Sequence, residues 1–306
     1  MKRILGGIAA LIVLGVALGG IAVYQQIQDL EVAQVTDDIH VIYGLGSNVG
    51  ILRTNDGAVV VDTMTFRSQG SRILEVSEEL GGPLQAVINT HYHFDHTHGN
   101  IAFPSGARFI ATERTRAYLD HLDADYWTDA PGTLPGETFR NEREISIGGK
   151  TLRLLHPGRG HTDGDLVVLF VEDKVLHTGD LFFNGRYPNI DLEAGGSVRD
   201  WVATIDRVLE LDFDRVIPGH GPVTDRDGLR AFQSFMRQLA EAGEQAVRRG
   251  WTVDQMQAEA ELDKDAGYET MEIPLLMKLD RDFVLRRAWE EATGNVDRIR
   301  LPEETP

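Results

Sequence analysis

The stretch that decides the fold reads Thr90-His91-Tyr92-His93-Phe94-Asp95-His96, and it directly follows an apolar run, Leu84 to Asn89, that predicts a strand. Side chains two positions apart on an extended segment point the same way, so His91 and His93 can reach one ion together. Asp95 and His96 come after the chain has begun to turn, and they can serve a second position beside the first. This density of ligand-type residues predicts a metal site, with a structural polar cluster as the alternative.

Three further ligand-type residues follow predicted strands, and each has a glycine directly before it: His161, Asp180 and His220. The strands in question are Leu152 to Leu155, Val175 to His177 and Arg215 to Ile217. Glycine lets the backbone approach a metal closely or adopt a positive φ. Ligands gathered from loops at one end of a sheet are the usual way in which an α/β fold builds a site. Each residue taken singly is more typical of a turn, but together they complete a ligand set.

In this order the residues resemble the motif of the metallo-β-lactamase superfamily of dinuclear metallohydrolases: His91-x-His93-x-Asp95-His96, then His161, Asp180 and His220. The resemblance covers residues 36–225. It implies an α/β (α+β) fold, a four-layer αβ/βα sandwich with the site at the strand ends. It also implies two zinc ions, the first held by His91, His93 and His161, the second by Asp95, His96 and His220, with Asp180 as a bridge. Iron or manganese replaces zinc in some relatives.

The ligand set also supports a mechanism of hydrolysis. Two divalent ions about 3.5–4 Å apart can share a water and lower its pKa from about 16 to about 7. The resulting bridging hydroxide attacks a carbonyl or phosphorus centre, and the ions hold the developing oxyanion or the leaving group. Asp95 and Asp180 are the predicted catalytic residues, since Asp95 can also orient the hydroxide through its non-ligating oxygen.

Composition excludes several other classes of protein. The 306 residues contain no cysteine, which rules out disulfides, iron–sulfur clusters, cysteine nucleophiles and thiolate zinc sites. The formal net charge is -18, from 30 Lys and Arg against 48 Asp and Glu, and it disfavours nucleic acid as a partner. A small-molecule substrate is therefore the expected partner.

The residue at position 180 narrows the substrate class. True β-lactamases of the superfamily mostly carry Cys or Ser where this chain has Asp180, so the resemblance favours the glyoxalase II, lactonase and general hydrolase branches. The acidic C-terminal third disfavours glyoxalase II. The predicted function is hydrolysis of small ester, thioester, lactone or amide substrates, with promiscuous β-lactam hydrolysis. The alternatives are a dedicated β-lactamase, an iron-dependent thiol or sulfur oxygenase, and a non-catalytic periplasmic partner protein.

The N-terminus has the pattern of a membrane or export segment. Lys2 and Arg3 precede an uncharged run, Ile4 to Tyr24, that would span about 30 Å as a helix. The positive-inside rule then places the remaining chain outside the cytoplasm. We expect residues 1–24 to be a signal-anchor in the inner membrane of an exported, periplasmic protein. A cleaved signal peptide with the small-residue site Ala17-Leu18-Gly19 would instead give a soluble periplasmic protein, and a buried core helix is the third alternative.

The remaining chain, residues 25–306, predicts one catalytic domain with a core at 36–225 and C-terminal helices within 226–294. Residues 226–249 and 275–294 have helical spacing. The predicted chain therefore alternates strands and helices up to residue 225 and is helical after it.

The clearest single helix is Val198 to Leu211, which has one apolar face, and Ser197 and Asp200 before and within it have capping-box spacing. Two irregular stretches, His121 to Thr138 and Phe182 to Gly196, are long for a compact domain. We interpret them as candidate substrate walls, with mobile surface loops as the alternative.

Several side chains are candidate substrate contacts. Arg186 could meet a carboxylate, with a solvated loop cation as the alternative. Aromatic side chains could wall a pocket or merely pack in the loops: Tyr126, Trp127 and Tyr187. His98 is a candidate proton donor, with a residue behind the ligands or a solvent-exposed histidine as the alternative. Asp62 and Asp165 are candidate carboxylate partners of the ligand imidazoles.

Overall fold

The computed structural model describes residues 25, 27–273 and 277–302 of the chain. The apolar segment at residues 4–24, for which we predict an anchor or a signal peptide, lies outside these ranges. None of the helices within the described ranges combines the length and the apolar character that a membrane span requires.

Seven strands form the first sheet, and they pair in the order of the chain. They are β1 (Glu31–Gln34), β2 (Ile39–Tyr43), β3 (Val49–Arg53), β4 (Ala58–Val61), β5 (Leu84–Ile88), β6 (Arg108–Thr112) and β7 (Glu137–Phe139). The first four are antiparallel to one another, and β4 to β7 run parallel. Because β4, β5 and β6 run parallel, the segments that follow them leave the sheet at the same edge.

Six strands form the second sheet, in the order β13-β12-β11-β10-β9-β8. They are β8 (Glu142–Ile147), β9 (Lys150–Leu155), β10 (Val167–Phe170), β11 (Val175–His177), β12 (Arg215–Ile217) and β13 (Thr224–Asp225). Only β11 and β12 pair in parallel, so the segments after these two strands also share an edge. A separate hairpin pairs β14 (Met271–Ile273) with β15 (Met277–Leu279).

The helices of the described ranges connect and cover the sheets. They are α1 (Arg67–Gly81), α2 (Phe94–Thr97), α3 (Glu113–Leu122), α4 (Ala124–Trp127), α5 (Val198–Leu209), α6 (Arg226–Arg249), α7 (Val253–Glu259) and α8 (Arg281–Thr293). The Ser197 side chain accepts a hydrogen bond from the backbone N–H of Asp200, as the sequence predicts for the start of α5. Gly250 ends α6 with a φ of 64°, a left-handed conformation that suits glycine.

The two sheets pack face to face between two helical layers. On β4, Val59 and Val61 enter the apolar cluster between the sheets, whereas Val60 packs outward with Ile73 and Val76 of α1. This explains why the β4 run is apolar at every position. Helices α5, α6 and α8 cover the outer face of the second sheet through side chains that include Trp201, Phe235 and Val284. The predicted sandwich of two sheets flanked by helices is therefore confirmed for the described residues.

The helix predicted at 275–294 is too long at its start. Met277–Leu279 pairs with β14 instead, and α8 begins only after Asp280. The Asp280 carboxylate accepts a hydrogen bond from the backbone N–H of Phe283, which is the usual N-cap contact of a helix start. The strand and the cap together exclude residues 277–280 from the helix.

The two long irregular stretches behave differently. His121 to Thr138 contains α4, a 3-10 turn at Pro131–Thr133 and the start of β7, so the prediction of an irregular segment is wrong there. Phe182 to Gly196 keeps its irregular path. It is held in place by backbone hydrogen bonds to the turn that carries His161, since Asp191 N donates to His161 O at 3.1 Å.

Candidate metal centre

The predicted ligand residues meet at the edge where the two sheets come together. His91 and His93 follow β5, and Asp95 and His96 lie on the single turn α2. The second sheet contributes His161 from the β9–β10 connection, Asp180 from the 3-10 turn Gly179–Leu181 and His220 from the segment after β12. The Asn48 backbone N–H, in the β2–β3 loop, donates to Gly219 O at 2.7 Å and joins the two sheets at this edge.

A first group of ring nitrogens converges from three histidines. His93 Nδ1 lies 3.2 Å from His91 Nε2 and 2.8 Å from His161 Nε2. With an oxygen of Asp180, these atoms lie within 4.8 Å of one another. Nitrogen and oxygen donors at this spacing are suited to a divalent transition-metal ion.

The other ring nitrogen of each first-group histidine contacts an oxygen. His161 Nδ1 is 2.9 Å from the Asn189 carbonyl, and His93 Nε2 is 3.0 Å from Asp191 Oδ2. His91 Nδ1 is 3.1 Å from the hydroxyl of the preceding threonine, which itself donates to a carboxylate. When these nitrogens donate, the three converging nitrogens carry lone pairs, which repel one another unless a cation or a proton lies between them.

A second group contains Asp95, His96 and His220. His220 Nε2 is 3.3 Å from Asp95 Oδ2, and His96 Nε2 is 3.8 Å from the same oxygen. Behind them, Asp62 Oδ2 lies 2.7 Å from His96 Nδ1 and fixes Nε2 as the nitrogen that faces the group. Asp62 is fully buried, and its carboxylate also accepts from the backbone N–H and the hydroxyl of Thr90 at 2.8 Å each.

Asp180 lies between the two groups and turns one oxygen to each. Its Oδ1 is 3.1 Å from His96 Nε2 and 3.4 Å from His220 Nε2, whereas its Oδ2 is 3.6 Å from His161 Nε2. A β-carbon at Gly219 would lie 2.0 Å from Oδ1, so only glycine leaves room for the carboxylate there.

Two buried atoms test whether these residues fit metal ions. His96 Nε2 and Asp180 Oδ1 are buried and have no hydrogen-bond partner among the described residues. They lie 3.1 Å apart but without the geometry of a hydrogen bond. Unsatisfied buried polar atoms cost free energy, and a cation bound to both would satisfy them. The residues therefore fit a dinuclear metal site.

The two groups differ in the pKa values of their histidines. Burial lowers the pKa of His161 to about 4 and that of His91 well below its usual value, and the neighbouring imidazoles lower both further. Burial also opposes a charge on His220, but Asp180 and Asp95 outweigh it and raise the pKa of His220 to about 9. The pKa of His96 is likewise raised well above its usual value by the surrounding carboxylates, against burial.

Three of the predicted substrate contacts are engaged elsewhere. Tyr187 packs against Phe235 and Tyr268, and its hydroxyl donates to Asp265 Oδ2 at 2.8 Å, so it belongs to the core under α6. Trp127 is only 2% exposed and lies in an apolar cluster. Arg186 lies beside Glu269, with 4.0 Å between guanidinium and carboxylate, so a protein carboxylate faces this cation.

Three other predicted residues contact their near neighbours in the fold. Tyr126 stacks on His98 with 3.7 Å between ring centroids, and its hydroxyl donates to the His98 carbonyl at 2.8 Å. His98 Nε2 lies 3.4 Å from Asp123 Oδ2, so its ring is positioned by two side chains of the α3–α4 region. The carboxylate of Asp165 contacts the hydroxyl and backbone N–H of Thr162 and not, as predicted, a ligand imidazole.

The sequence analysis missed the carboxylate that contacts His93. Asp191 Oδ2 accepts hydrogen bonds from both His93 Nε2 and the hydroxyl of Tyr92. Burial opposes ionisation, but these contacts keep the pKa of Asp191 well below its usual value. Its position in a long irregular stretch was a general signal of function, but nothing in its spacing connects it to a histidine 98 positions earlier.

The sandwich fold and the His/Asp cluster define a metal-dependent hydrolase. The family model described as the metallo-beta-lactamase superfamily matches residues 42–220. The chain belongs to this superfamily.

Three comparisons illustrate the range of its relatives. The chain is 29% identical over 236 residues to the 2,4-dinitroanisole O-demethylase subunit alpha of Nocardioides sp. (strain JS1661), and the aligned region covers 74% of this chain and 68% of that protein. It is 27% identical over 183 residues to a metallo-beta-lactamase type 2 of Bacillus sp. (strain 170), covering 59% and 68% respectively. The solved structure of an inverting sec-alkylsulfatase from Pseudomonas sp. matches with a TM-score of 0.68 at 16% identity, over 88% of this chain and 51% of that one, a likeness of fold alone.

Proposed function

We propose that this protein is a dinuclear metallohydrolase that binds two zinc ions and cleaves small ester, thioester, lactone or amide substrates. The observation that carries the proposal is the position of Asp180, which turns its two oxygens to two separate groups of nitrogen and oxygen donors. Asp180 would be shared by the ions, with His91, His93 and His161 on the first and Asp95, His96 and His220 on the second. When bound, the ions lower the pKa of a shared water and polarise the scissile group.

The side chains indicate from which direction a substrate reaches the site. Asp95 and His93 are the most exposed of the seven, at 20% and 16%, whereas the other five are at most 7% exposed. The substrate would therefore approach over Asp95 and His93. Asp95 would hold the attacking water in position through a carboxylate oxygen, because it is the carboxylate nearest to this opening.

An apolar rim beside Asp95 supports substrates with an apolar group. We use this name for Leu45, Phe66 and Phe94, which are 41%, 40% and 44% exposed. The Gln69 side-chain amide joins the first two, since it donates to Leu45 O at 2.7 Å and accepts from Phe66 N at 3.0 Å.

The apolar rim is connected to the second group by a hydrogen bond and by the chain itself. The hydroxyl of Ser47, in the loop of Leu45, donates to Asp95 O at 2.6 Å, and Phe94 directly precedes Asp95. Exposed aromatic and aliphatic side chains near a polar centre are typical of ligand sites, because burying them against an apolar group releases water. Aryl and alkyl esters, thioesters and lactones carry such a group.

Metal quantification followed by a substrate panel tests the proposal. Protein purified without added metal should contain two ions per chain, and turnover should be lost with a chelator and restored by zinc. The panel would contain aryl esters, thioesters, lactones, β-lactams, phosphodiesters and, because of the relatives, alkyl sulfates and 2,4-dinitroanisole. Two bound ions without turnover of any substrate would overturn the hydrolase assignment. Iron in place of zinc, with thiol oxidation, would favour the oxygenase alternative.

We further propose that residues 4–24 anchor the protein on the periplasmic side of the inner membrane. The proposal depends on the uncharged run after Lys2 and Arg3. Cell fractionation would compare the full chain with a chain that lacks residues 1–24. The full chain should sediment with membranes, and its recovery in the soluble cytoplasmic fraction would contradict the proposal.

A further inference from the structure

One short segment supplies two of the oxygens behind the first group. The Asn189 carbonyl lies 2.9 Å from His161 Nδ1, and Asp191 Oδ2 lies 3.0 Å from His93 Nε2. Ile190 lies between these two residues and takes part in neither of these two contacts. We name residues 189–193 the acceptor loop. Its path decides which nitrogens of His161 and His93 face the first group.

A single arginine of α8 holds the outer side of the acceptor loop. Arg287 Nε donates to Ile190 O at 2.9 Å, Nη1 donates to Glu193 Oε1 at 3.0 Å, and Nη2 donates to the second carboxylate oxygen of Glu193. Glu290, one turn further along α8, accepts from Arg287 Nη1 at 2.7 Å. The Arg287 side chain is only 12% exposed, so these charged contacts are partly shielded from water.

Other contacts of the C-terminal segment strengthen the same attachment. Ile299 N donates to Glu193 O at 2.8 Å. The Glu291 carboxylate accepts from Ser197 Oγ at 2.5 Å, and Ser197 directly follows the irregular stretch Phe182 to Gly196. All of these donors and acceptors of residues 281–302 lie outside the range 42–220 that the superfamily model matches. In the second group, by contrast, the partner of His96 is Asp62 at the end of β4.

We propose that Arg287 is a positioning residue for the first metal ion, which it controls through the acceptor loop. This inference rests on the proposed dinuclear function. A planar guanidinium contacts the Ile190 carbonyl and both Glu193 oxygens at once, whereas a lysine ammonium cannot reproduce this fork. Loss of the fork lets the Ile190 backbone move and, with it, the acceptors on either side. His93 and His161 would then lose their preferred orientation without being altered themselves.

The test compares Arg287→Lys with Arg281→Lys. Arg281 is a matched control because it lies on the same helix and also holds backbone carbonyls, donating to Gln257 O at 3.1 Å and Ala260 O at 2.5 Å, but not in the acceptor loop. Each change is made in two backgrounds. His220→Ala leaves the first group intact, and His161→Ala leaves the second intact. Zinc affinity is measured by competition with a chelator, and the cobalt-substituted proteins are compared by their visible spectra.

Arg287→Lys should lower the affinity for the first ion by about 10-fold to 100-fold, the range typical for loss of a residue behind metal ligands. It should also change the cobalt spectrum of the first site and leave the affinity for the second ion within about 3-fold. Arg281→Lys should change neither affinity. Glu193→Gln, which keeps the shape of the partner, should also lower the affinity for the first ion. It replaces Arg287→Lys in the test if that variant folds poorly.

The outcomes separate this inference from the proposed function. If the wild-type chain binds two ions and both Arg287→Lys and Glu193→Gln leave the first ion unchanged, the positioning role is overturned. An equal loss at both sites overturns it too, because it shows a general loss of structure. If the wild-type chain binds no ions, the proposed function itself fails, and the inference fails with it.

Discussion

The two donor groups of this site are held in different ways. The partner of His96 is Asp62, a fully buried carboxylate at the end of a central strand that also accepts two hydrogen bonds from Thr90. The partners of His93 and His161 lie on the acceptor loop, which Arg287 of α8 contacts. The support of His96 in the second group therefore comes from the core of the sandwich. The histidines of the first group are supported by a loop within the core, and that loop contacts a helix that follows the core in sequence.

The largest expected effect comes from removing what the two groups share. Asp180→Ala should abolish binding of both ions and reduce turnover to background, because both donor groups include an oxygen of this carboxylate. Metal content and activity would be measured on the same preparation. Asp163→Ala is the control, since Asp163 is ion-paired with Arg114 near His161 without facing either group. Retention of two ions by Asp180→Ala would show that the groups are independent.

A smaller effect on metal affinity is expected from substitution of Asp62 and Asp191, the carboxylates that contact His96 and His93, and each substitution should act mainly on a different ion. Asp62→Asn should weaken binding of the second ion by about 10-fold to 100-fold and binding of the first ion less, because Asp62 reaches the first group only through Thr90 and His91. Asp191→Asn should weaken binding of the first ion and spare the second. Asparagine suits position 62 because the backbone there has a φ of 66°, which Asn tolerates better than most residues. Chelator competition in the His161→Ala and His220→Ala backgrounds would measure each ion. If both substitutions weakened the same ion most strongly, the division into two groups would be wrong.

The two groups should also differ in how strongly protons compete with the metal ions for the histidines. In the metal-free protein Asp180 and Asp95 raise the pKa of His220 to about 9, so it carries a proton at pH 7, and the surrounding carboxylates also raise the pKa of His96, so it holds its proton more tightly than an ordinary histidine. An ion entering the second group must displace these protons, and its apparent affinity should rise as the pH rises from 7 to 9, by about tenfold per pH unit for each displaced proton.

The first group should show a shallower dependence on pH. The pKa of His161 is lowered to about 4 and that of His91 lies well below its usual value, so these rings are already neutral at pH 7. Only His93, whose pKa is raised by Asp191 against the effect of burial, competes with a proton. Zinc titrations of the two single-group backgrounds between pH 6 and 9 would compare the slopes. Equal slopes would contradict the electrostatic difference between the groups.

The sequence predicted the second group more completely than the surroundings of the first. Asp95 and His96 belong to one contiguous stretch after β5, and Asp62 ends the preceding apolar run, so local pattern indicated these three residues. His220 was predicted from its place in the full ligand set. Asp191 and Arg287 could not be predicted in this way. Each acts through contacts between residues more than 90 positions apart, and these depend on where α8 packs.

The aromatic residues show the opposite error. Tyr187 and Trp127 lie in stretches predicted to be irregular, and from the sequence they are candidate pocket walls, with packing in the loops as the alternative. Both are covered by elements that sequence spacing did not reveal, since Tyr187 packs on Phe235 of α6 and Trp127 lies in the cluster around Tyr118 of α3. Aromatic character predicts burial or binding equally well until the covering element is known.

The smallest expected effect concerns Asp165, which lies under the turn of His161. Burial raises the pKa of Asp165 to about 8, although hydrogen bonds from Thr162 oppose the shift. The folded protein therefore keeps this carboxyl protonated where the unfolded chain ionises it, between about pH 4 and pH 8. Across this window Asp165 makes the free energy of unfolding fall as the pH rises, by at most about 1.4 kcal/mol per pH unit, and above pH 8 its contribution no longer changes.

Asp165→Asn removes this titration and keeps the size of the side chain. Urea unfolding of the metal-free proteins should show a stability difference that moves in favour of the variant from pH 4 to pH 8 and then stays constant. Zinc affinity of the first group should remain within about 3-fold, because the carboxyl contacts Thr162 and not a ligand imidazole. Parallel stability curves would show that Asp165 is ionised in the fold. A strong loss of the first ion would instead place Asp165 with Asp191, as part of the support that the first group needs and the second does not.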